Sequence, residues 1–304
     1  MKYGCSLIVR GEDATPDTFV TMAERAEALG LDSLWLSAHV VIPPQVKSGY
    51  VLIPGRMHPP HWRECYWEPF TVLSFLAAHT SRITLGTSVV VLPMHSPFEI
   101  AKQVAEVDQL SGGRFIFGIG VGWFEEEFEV LGQNFRNRGA RTDDALALMK
   151  RLWADDPVTY RGRFYSCEDA SFSPKPVQRP HPPIWVAGAS RPACRRAAQY
   201  GEAFHPVRMS VERVLEMRRE LDAQCERFGR APGSVKLGVK LPLAFQDEPG
   251  EFLTQGPPPQ IADGIKRYIE IGAEHFTFDF TPEKVGNALE VMERFAQEVR
   301  PRLD

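Results

Sequence analysis

The feature that most constrains the fold of this 304-residue chain is an alternation of short apolar runs with longer amphipathic ones, repeated eight times. Runs of strand length fall near residues 3–9, 32–36, 83–91, 114–119, 183–188, 202–204, 235–241 and 275–279. Each precedes a run with helical spacing, near 16–29, 69–79, 97–110, 138–153, 191–200, 211–228, 258–271 and 283–298. Strands that are apolar throughout suit a parallel sheet covered on both faces, and strand–helix repeats build such sheets. Eight units in 304 residues predict an α/β fold, a (β/α)8 TIM barrel forming a single domain over 1–304. A doubly wound open sheet ranks second, because no composition break marks a second domain.

Three segments exceed ordinary loop length and are expected to be insertions: 40–67, 155–182 and 242–257. The first mixes Tyr50, Trp62, Tyr66 and Trp67 with several prolines, a composition suited to facing a substrate. The second contains Val158–Tyr165, a β-like run expected to form a hairpin.

Composition removes several classes of function. A net charge of −4 gives no electrostatic case for binding nucleic acid or an anionic membrane. No apolar run approaches the roughly 20 residues that span a bilayer, and the start MKYGCSLIVR does not suit a signal peptide, so a cytoplasmic location is expected. Cys5, Cys65, Cys167, Cys194 and Cys225 are odd in number and lack CxxC spacing, which suits reduced thiols. His58, His61 and Cys65 place three soft donors together, but their spacing fits no structural zinc pattern, and no metal is expected.

A barrel keeps its chemistry where strands end. Gly30 follows the amphipathic run Phe19, Met22, Ala23, Ala26, Leu29 and suits a left-handed helix stop. The apolar run 31–36 then delivers His39 just past a strand's carboxyl end. Gly118, Gly120 and Gly122 form G-x-G-x-G, which misplaces the third glycine of a dinucleotide fingerprint. Two readings stay open for it: a strand end bared so that a flat ligand can approach, or a tight turn. Gly188-Ala189-Ser190 joins a strand to a helix opened by Arg191 and Pro192, where outward N–H groups favour a phosphate. His205 and Arg208, ending the next strand, strengthen that anion reading. The chain has no G-x-S-x-G elbow, no HExxH and no Walker loop, so hydrolase and kinase chemistry lack their residues.

WLSAHV at 35–40, SRITLGTSVVVLP at 81–93, LSGGRFIFGIGVGW at 110–123, RGARTDDAL at 138–146, PKPVQRPHPPIWVAGAS at 174–190 and YGEAFHP at 200–206 resemble the bacterial luciferase-like flavin and deazaflavin oxidoreductases, in collinear order over most of the chain. The closest resemblance is to the branch that uses coenzyme F420. It implies a (β/α)8 barrel holding the ring at the strands' carboxyl ends. It further implies a non-proline cis peptide at Ser88-Val89 behind the ring, and a cofactor phosphate bound by the backbone N–H groups of Gly188, Ala189 and Ser190. His39 would lie beside the ring's reactive face, where an imidazole can exchange a proton at neutral pH or orient the cofactor. Trp123 stands where sugar-phosphate-using members have an acid, which argues against such substrates. With Tyr50 and Trp67 it implies an apolar or aromatic small molecule. The resemblance implies hydride transfer with F420; an FMN-dependent monooxygenase is the alternative, and a non-catalytic ligand-binding barrel a third reading. It also implies a homodimer pairing through the helices after the second and third strands; Ala77, Ala78, Ile100, Ala101 and Val104 suit such a face, and burial against the barrel explains them equally well.

Overall fold

The computed structural model describes residues 1–44, 48, 66–280 and 285–303. Eight parallel strands close into a barrel: β1 (Lys2–Ser6), β2 (Ser33–Leu36), β3 (Thr84–Thr87), β4 (Phe115–Gly120), β5 (Ile184–Ala187), β6 (Ala203–His205), β7 (Lys236–Phe245) and β8 (Ala273–Phe280). Each pairs with the next, and β8 returns to β1 with Lys2 beside His275. The outer ring comprises α1 (Pro16–Ala28), α2 (Pro69–His79), α3 (Pro97–Leu110), α4 (Arg138–Ala154), α5 (Arg191–Tyr200), α6 (Val211–Arg227), α7 (Pro258–Glu270) and α8 (Val285–Arg294).

Local chemistry sets the helix ends. Thr15 and Glu68 accept hydrogen bonds from the first turns of α1 and α2, each opened by a proline that has no N–H to leave unpaired. Gly30 has φ +72°, the left-handed stop its position requires. Inside the barrel, glycines make room for two indoles. A Cβ on Gly86 would come within 2.6 Å of Trp35, and one on Gly238 within 2.2 Å of Trp185. The Trp35 and Trp185 rings pack 4.7 Å apart. Burying ~150–250 Å² per ring at ~25 cal/mol/Å² makes each worth roughly 4–6 kcal/mol before entropy is counted.

The expected strand 83–91 is interrupted. Pairing with β4 runs Gly86 to Ile116, then resumes as Val90 to Ile119. Three residues, Thr87, Ser88 and Val89, therefore face two, Phe117 and Gly118, which makes a bulge at the carboxyl end of β3. The 155–182 segment does form an antiparallel hairpin, Val158–Arg161 with Ser166–Ala170. A short helix, Glu125–Val130, follows β4 and was not expected from the sequence. Most of the 40–67 insertion, including Tyr50, Trp62 and the grouping His58, His61 and Cys65, lies outside the described residues. Cys5, Cys167, Cys194 and Cys225 are free thiols. Of the residues named above as a pairing face, Ala77, Ile100, Ala101 and Val104 are buried within the chain itself and Ala78 is exposed.

Candidate functional site

His39 follows β2 at the barrel mouth, and Glu127 of the short helix fixes it. Its Nδ1 lies 2.8 Å from Glu127 Oε2, and Glu127 is fully buried. The other oxygen of that carboxylate, Oε1, accepts the N–H groups of Val40 at 2.7 Å and Val41 at 3.3 Å. A carboxylate can only accept, so Nδ1 donates and Nε2 becomes the atom open to chemistry. No described residue hydrogen-bonds Nε2. Tyr66 and Phe124 pack edge-on against the ring at 5.1 and 6.1 Å between centroids. Glu126 binds the N–H and hydroxyl of Ser48, so the short helix ties down the start of the 40–67 segment at two points. Glu127 is the site residue the sequence reading missed. The signal was the acidic triplet Glu125-Glu126-Glu127 three residues beyond Gly122, which suits the first turn of a helix.

The Ser88-Val89 peptide is cis, as the resemblance implied. Gly118, Gly120 and Gly122 serve it. A Cβ on Gly118 would lie 1.8 Å from the Thr87 carbonyl oxygen, one on Gly120 would lie 2.9 Å from the Val89 side chain, and one on Gly122 would lie 2.6 Å from Val91. The three glycines thus admit the bulged end of β3. The flat object that approaches the β4 backbone is the neighbouring strand. Thr87 seals the junction, its hydroxyl donating to Gly118 O at 2.8 Å and accepting from Gly118 N at 2.9 Å.

Below the bulge, Ser88 Oγ is 2.9 Å from His205 Nε2, and His205 Nδ1 contacts Gly238 O at 2.5 Å. The carbonyl can only accept, so Nδ1 carries the hydrogen and Ser88 donates to Nε2. His205 is fully buried, stacked on Trp35 at 5.4 Å and 19°. Burial pushes its imidazole down to about 4, against the pull of the Gly238 carbonyl. Both of its nitrogens are engaged inside the barrel, so it supports Ser88 and does not reach the α5 turn that the sequence paired it with.

That turn has the expected shape. Gly188 has φ +147°, and a Cβ there would meet Ala193 at 2.6 Å. Ser190 caps α5 with its backbone, its carbonyl accepting from Ala193 and Cys194, while its hydroxyl makes no cap bond. Gly188 and Ala189 are part-buried and Ser190 is exposed, so N–H groups at this helix start are accessible to an anion. Trp123, half-buried, stacks on Phe124 beside His39. Trp67 is committed elsewhere: its indole N–H donates to Ala14 O at 2.7 Å and its ring packs edge-on against Phe19.

The RGARTDDAL segment braces this end of the barrel. Arg138 donates to Gly122 O at 3.1 Å, Asp143 pairs with Arg195 and Arg196 of α5, and Asp144 accepts from Tyr160, Phe164 and Tyr165 of the hairpin segment. Among the described residues no group of His, Cys, Asp and Glu could hold a metal ion, and no helix is long and apolar enough to cross a membrane.

Residues 3–255 match the family model described as luciferase-like monooxygenase. An F420-dependent glucose-6-phosphate dehydrogenase of Kineococcus radiotolerans is 32% identical over 251 residues, covering 80% of this chain and 68% of that protein. An FMNH(2)-dependent dimethylsulfone monooxygenase of Pseudomonas putida is 31% identical over 183 residues, covering 59% of this chain; the match spans about half of that relative, 49%. Among solved structures, monooxygenase RslO1 from Streptomyces bottropensis superposes with a TM-score of 0.82 at 19% identity, with full coverage of both chains, which supports the fold.

Proposed function

The chain belongs to the luciferase-like monooxygenase family, and we propose that within it this protein is an oxidoreductase moving a hydride between coenzyme F420 and an apolar or aromatic organic substrate. The family's relatives of this chain include both F420-dependent and FMN-dependent enzymes. The observation that carries the hydride reading is the His39–Glu127 pair. Hydride transfer to or from a carbon–oxygen or carbon–nitrogen bond leaves a proton to be taken up or supplied at the heteroatom. His39 has one nitrogen anchored and one available, which is the arrangement a proton carrier needs.

Coenzyme F420, when bound, supplies the carbon that donates or accepts the hydride. The residues that would hold it fit a planar ring with a phosphate tail. The cis Ser88-Val89 bulge at the carboxyl end of β3 would back the ring. The 188–190 turn offers N–H groups at a helix start, where a phosphate is favoured. Glu127 orients His39 and balances positive charge on the ring when Nε2 takes a proton. In the alcohol-oxidising direction Nε2 accepts the hydroxyl proton; in the reducing direction it returns one.

The test is a fluorescence titration of the cofactor-free protein with F420 and, in parallel, FMN. Selective F420 binding supports the reading. Preference for FMN moves it to a flavin-dependent monooxygenase, and binding of neither moves it to a non-catalytic ligand-binding barrel. A homodimer belongs to the same proposal and is checked by light scattering of the eluted protein.

A further inference from the structure

The wall of the barrel mouth formed by β6, β7 and β8 carries charges that the hydride chemistry above does not use. Side chains alternate along β7: Leu237, Val239, Leu241 and Leu243 join the core beneath the helices, whereas Gly238 lies against Trp185 inside the barrel. Lys240 therefore faces inward, one step nearer the mouth. On β8 the outward positions are Phe276, Phe278 and Phe280, so Asp279 also faces inward. Lys240 Nζ is 3.2 Å from Asp279 Oδ1, and Arg208 Nη2, from the loop after β6, is 3.4 Å from Oδ2.

Two cations share one carboxylate here. Burial alone would raise the Asp279 carboxyl, but Lys240 and then Arg208 outweigh it and hold the group below the usual carboxylate range. The cluster thus keeps an excess positive charge. Both contacts are longer than the 2.7–2.9 Å of tight charge-assisted pairs, and no described residue accepts from Arg208 Nε or Nη1. Other buried or part-buried guanidinium groups in the chain hold more partners. Arg114 donates to five oxygens, including those of Ser111, Ile83 and Ala77, and Arg196 binds Asp143 and Gly139. Lys240 keeps only 8% of its side chain exposed, whereas Arg208 and Asp279 keep 30% and 20%, so the cluster is reached from the mouth. Arg208 also has a left-handed backbone, φ +52°, with its N–H held by Lys240 O at 2.8 Å. Such a conformation in a bulky residue persists only where its surroundings impose it. A part-buried guanidinium with one long contact, beside a buried ammonium that shares the same carboxylate, has donors left to offer an incoming anion.

We propose that Lys240 and Arg208 form a subsite for a carboxylate group on the substrate, with Asp279 as the resident counter-ion that keeps the two cations in place. A single planar carboxylate matches the excess of one charge and can span an ammonium and a guanidinium edge. The subsite rests on the reading of the barrel mouth as the substrate site and narrows the substrate to an apolar or aromatic acid.

The test is calorimetric titration of the cofactor-free protein with benzoate and with neutral benzamide, for the wild type and for Lys240→Met, Arg208→Gln and Asp279→Asn. Benzoate is expected to bind about tenfold or more tightly than benzamide, as one charge-assisted contact is worth about that factor. Lys240→Met and Arg208→Gln should each remove most of this preference. Asp279→Asn should increase it, because the competing anion is gone. Equal binding of the two probes overturns the proposal. So does a loss of benzoate binding in Asp279→Asn accompanied by a lowered melting temperature in all three variants, which marks a purely structural cluster. Unchanged benzoate binding with impaired F420 binding in the variants assigns the cluster to the cofactor and also overturns it. Failure of the wild type to bind F420 undermines the hydride reading while leaving the probe result standing.

Discussion

Ser88 and His205 meet across the barrel interior, the hydroxyl donating to Nε2 at 2.9 Å from the bulged end of β3 to β6. That one bond ties the shelf at the mouth to a histidine that burial keeps neutral, its other nitrogen donating to Gly238 and its ring lying on Trp35. Protonating His205 would reverse the bond to Ser88, whose hydroxyl would then have to accept, and would place a charge beside two indoles.

Stability should therefore fall on acidification. Burial holds His205 down at about 4 and His275 at about 3, below the 6.5 of an exposed imidazole. Between those values the unfolded chain binds more protons than the folded one, so the contribution is complete above pH ~6.5 and declines as pH drops toward 4. For His205 alone the loss is on the order of 3 kcal/mol. Urea unfolding at a series of pH values checks this, and His205→Gln should flatten the slope. An unchanged slope in that variant would show that other groups carry it.

Replacing His39 by Ala is expected to lower turnover about 10²–10⁴-fold, the usual contribution of a positioned acid–base group, with F420 affinity nearly unchanged. Steady-state kinetics beside a binding titration separate the two effects. Equal turnover in His39→Ala removes the residue from proton transfer.

Glu127 acts through His39. Glu127→Gln can keep an oxygen for Val40 and Val41 but turns an amide N–H toward Nδ1, so the imidazole hydrogen should move to Nε2. Nitrogen NMR of the ring reports that tautomer, and turnover should fall with it. Glu127→Ala should also cost about 1–3 kcal/mol, because two backbone donors lose their acceptor.

Gly118→Ala should be strongly destabilising, about 3 kcal/mol or more, because its Cβ would fall 1.8 Å from a backbone oxygen that cannot move without the bulge. Gly286→Ala, in α8 with open space around its Cβ, should be neutral or stabilising by about 0.5–1 kcal/mol. Chemical denaturation of the pair compares them directly.

Trp67→Phe should lose about 1 kcal/mol of stability with the bond to Ala14, and leave the KM for any substrate unaltered. A change in KM at constant stability would restore Trp67 to the substrate wall.

The sequence by itself determined the barrel. Apolar runs spaced by amphipathic ones admit few other closed solutions, and local rules for proline, glycine and capping set the helix ends, including the left-handed Gly30. It also placed His39, Ser88 and the Gly188 turn at strand ends, because strand ends can be counted along the chain. Only the tertiary structure decided what those residues touch. Glu127 lies 88 positions from His39, His205 lies 117 from Ser88, and Lys240 meets a carboxylate 39 residues away. Such pairings depend on barrel closure and on which face each strand turns inward, and a one-residue bulge in β3 is enough to alter that facing. The same dependence turned Gly118 and Gly120 from a bare surface into the space that neighbouring strand occupies, because a missing side chain records that something comes close without recording what.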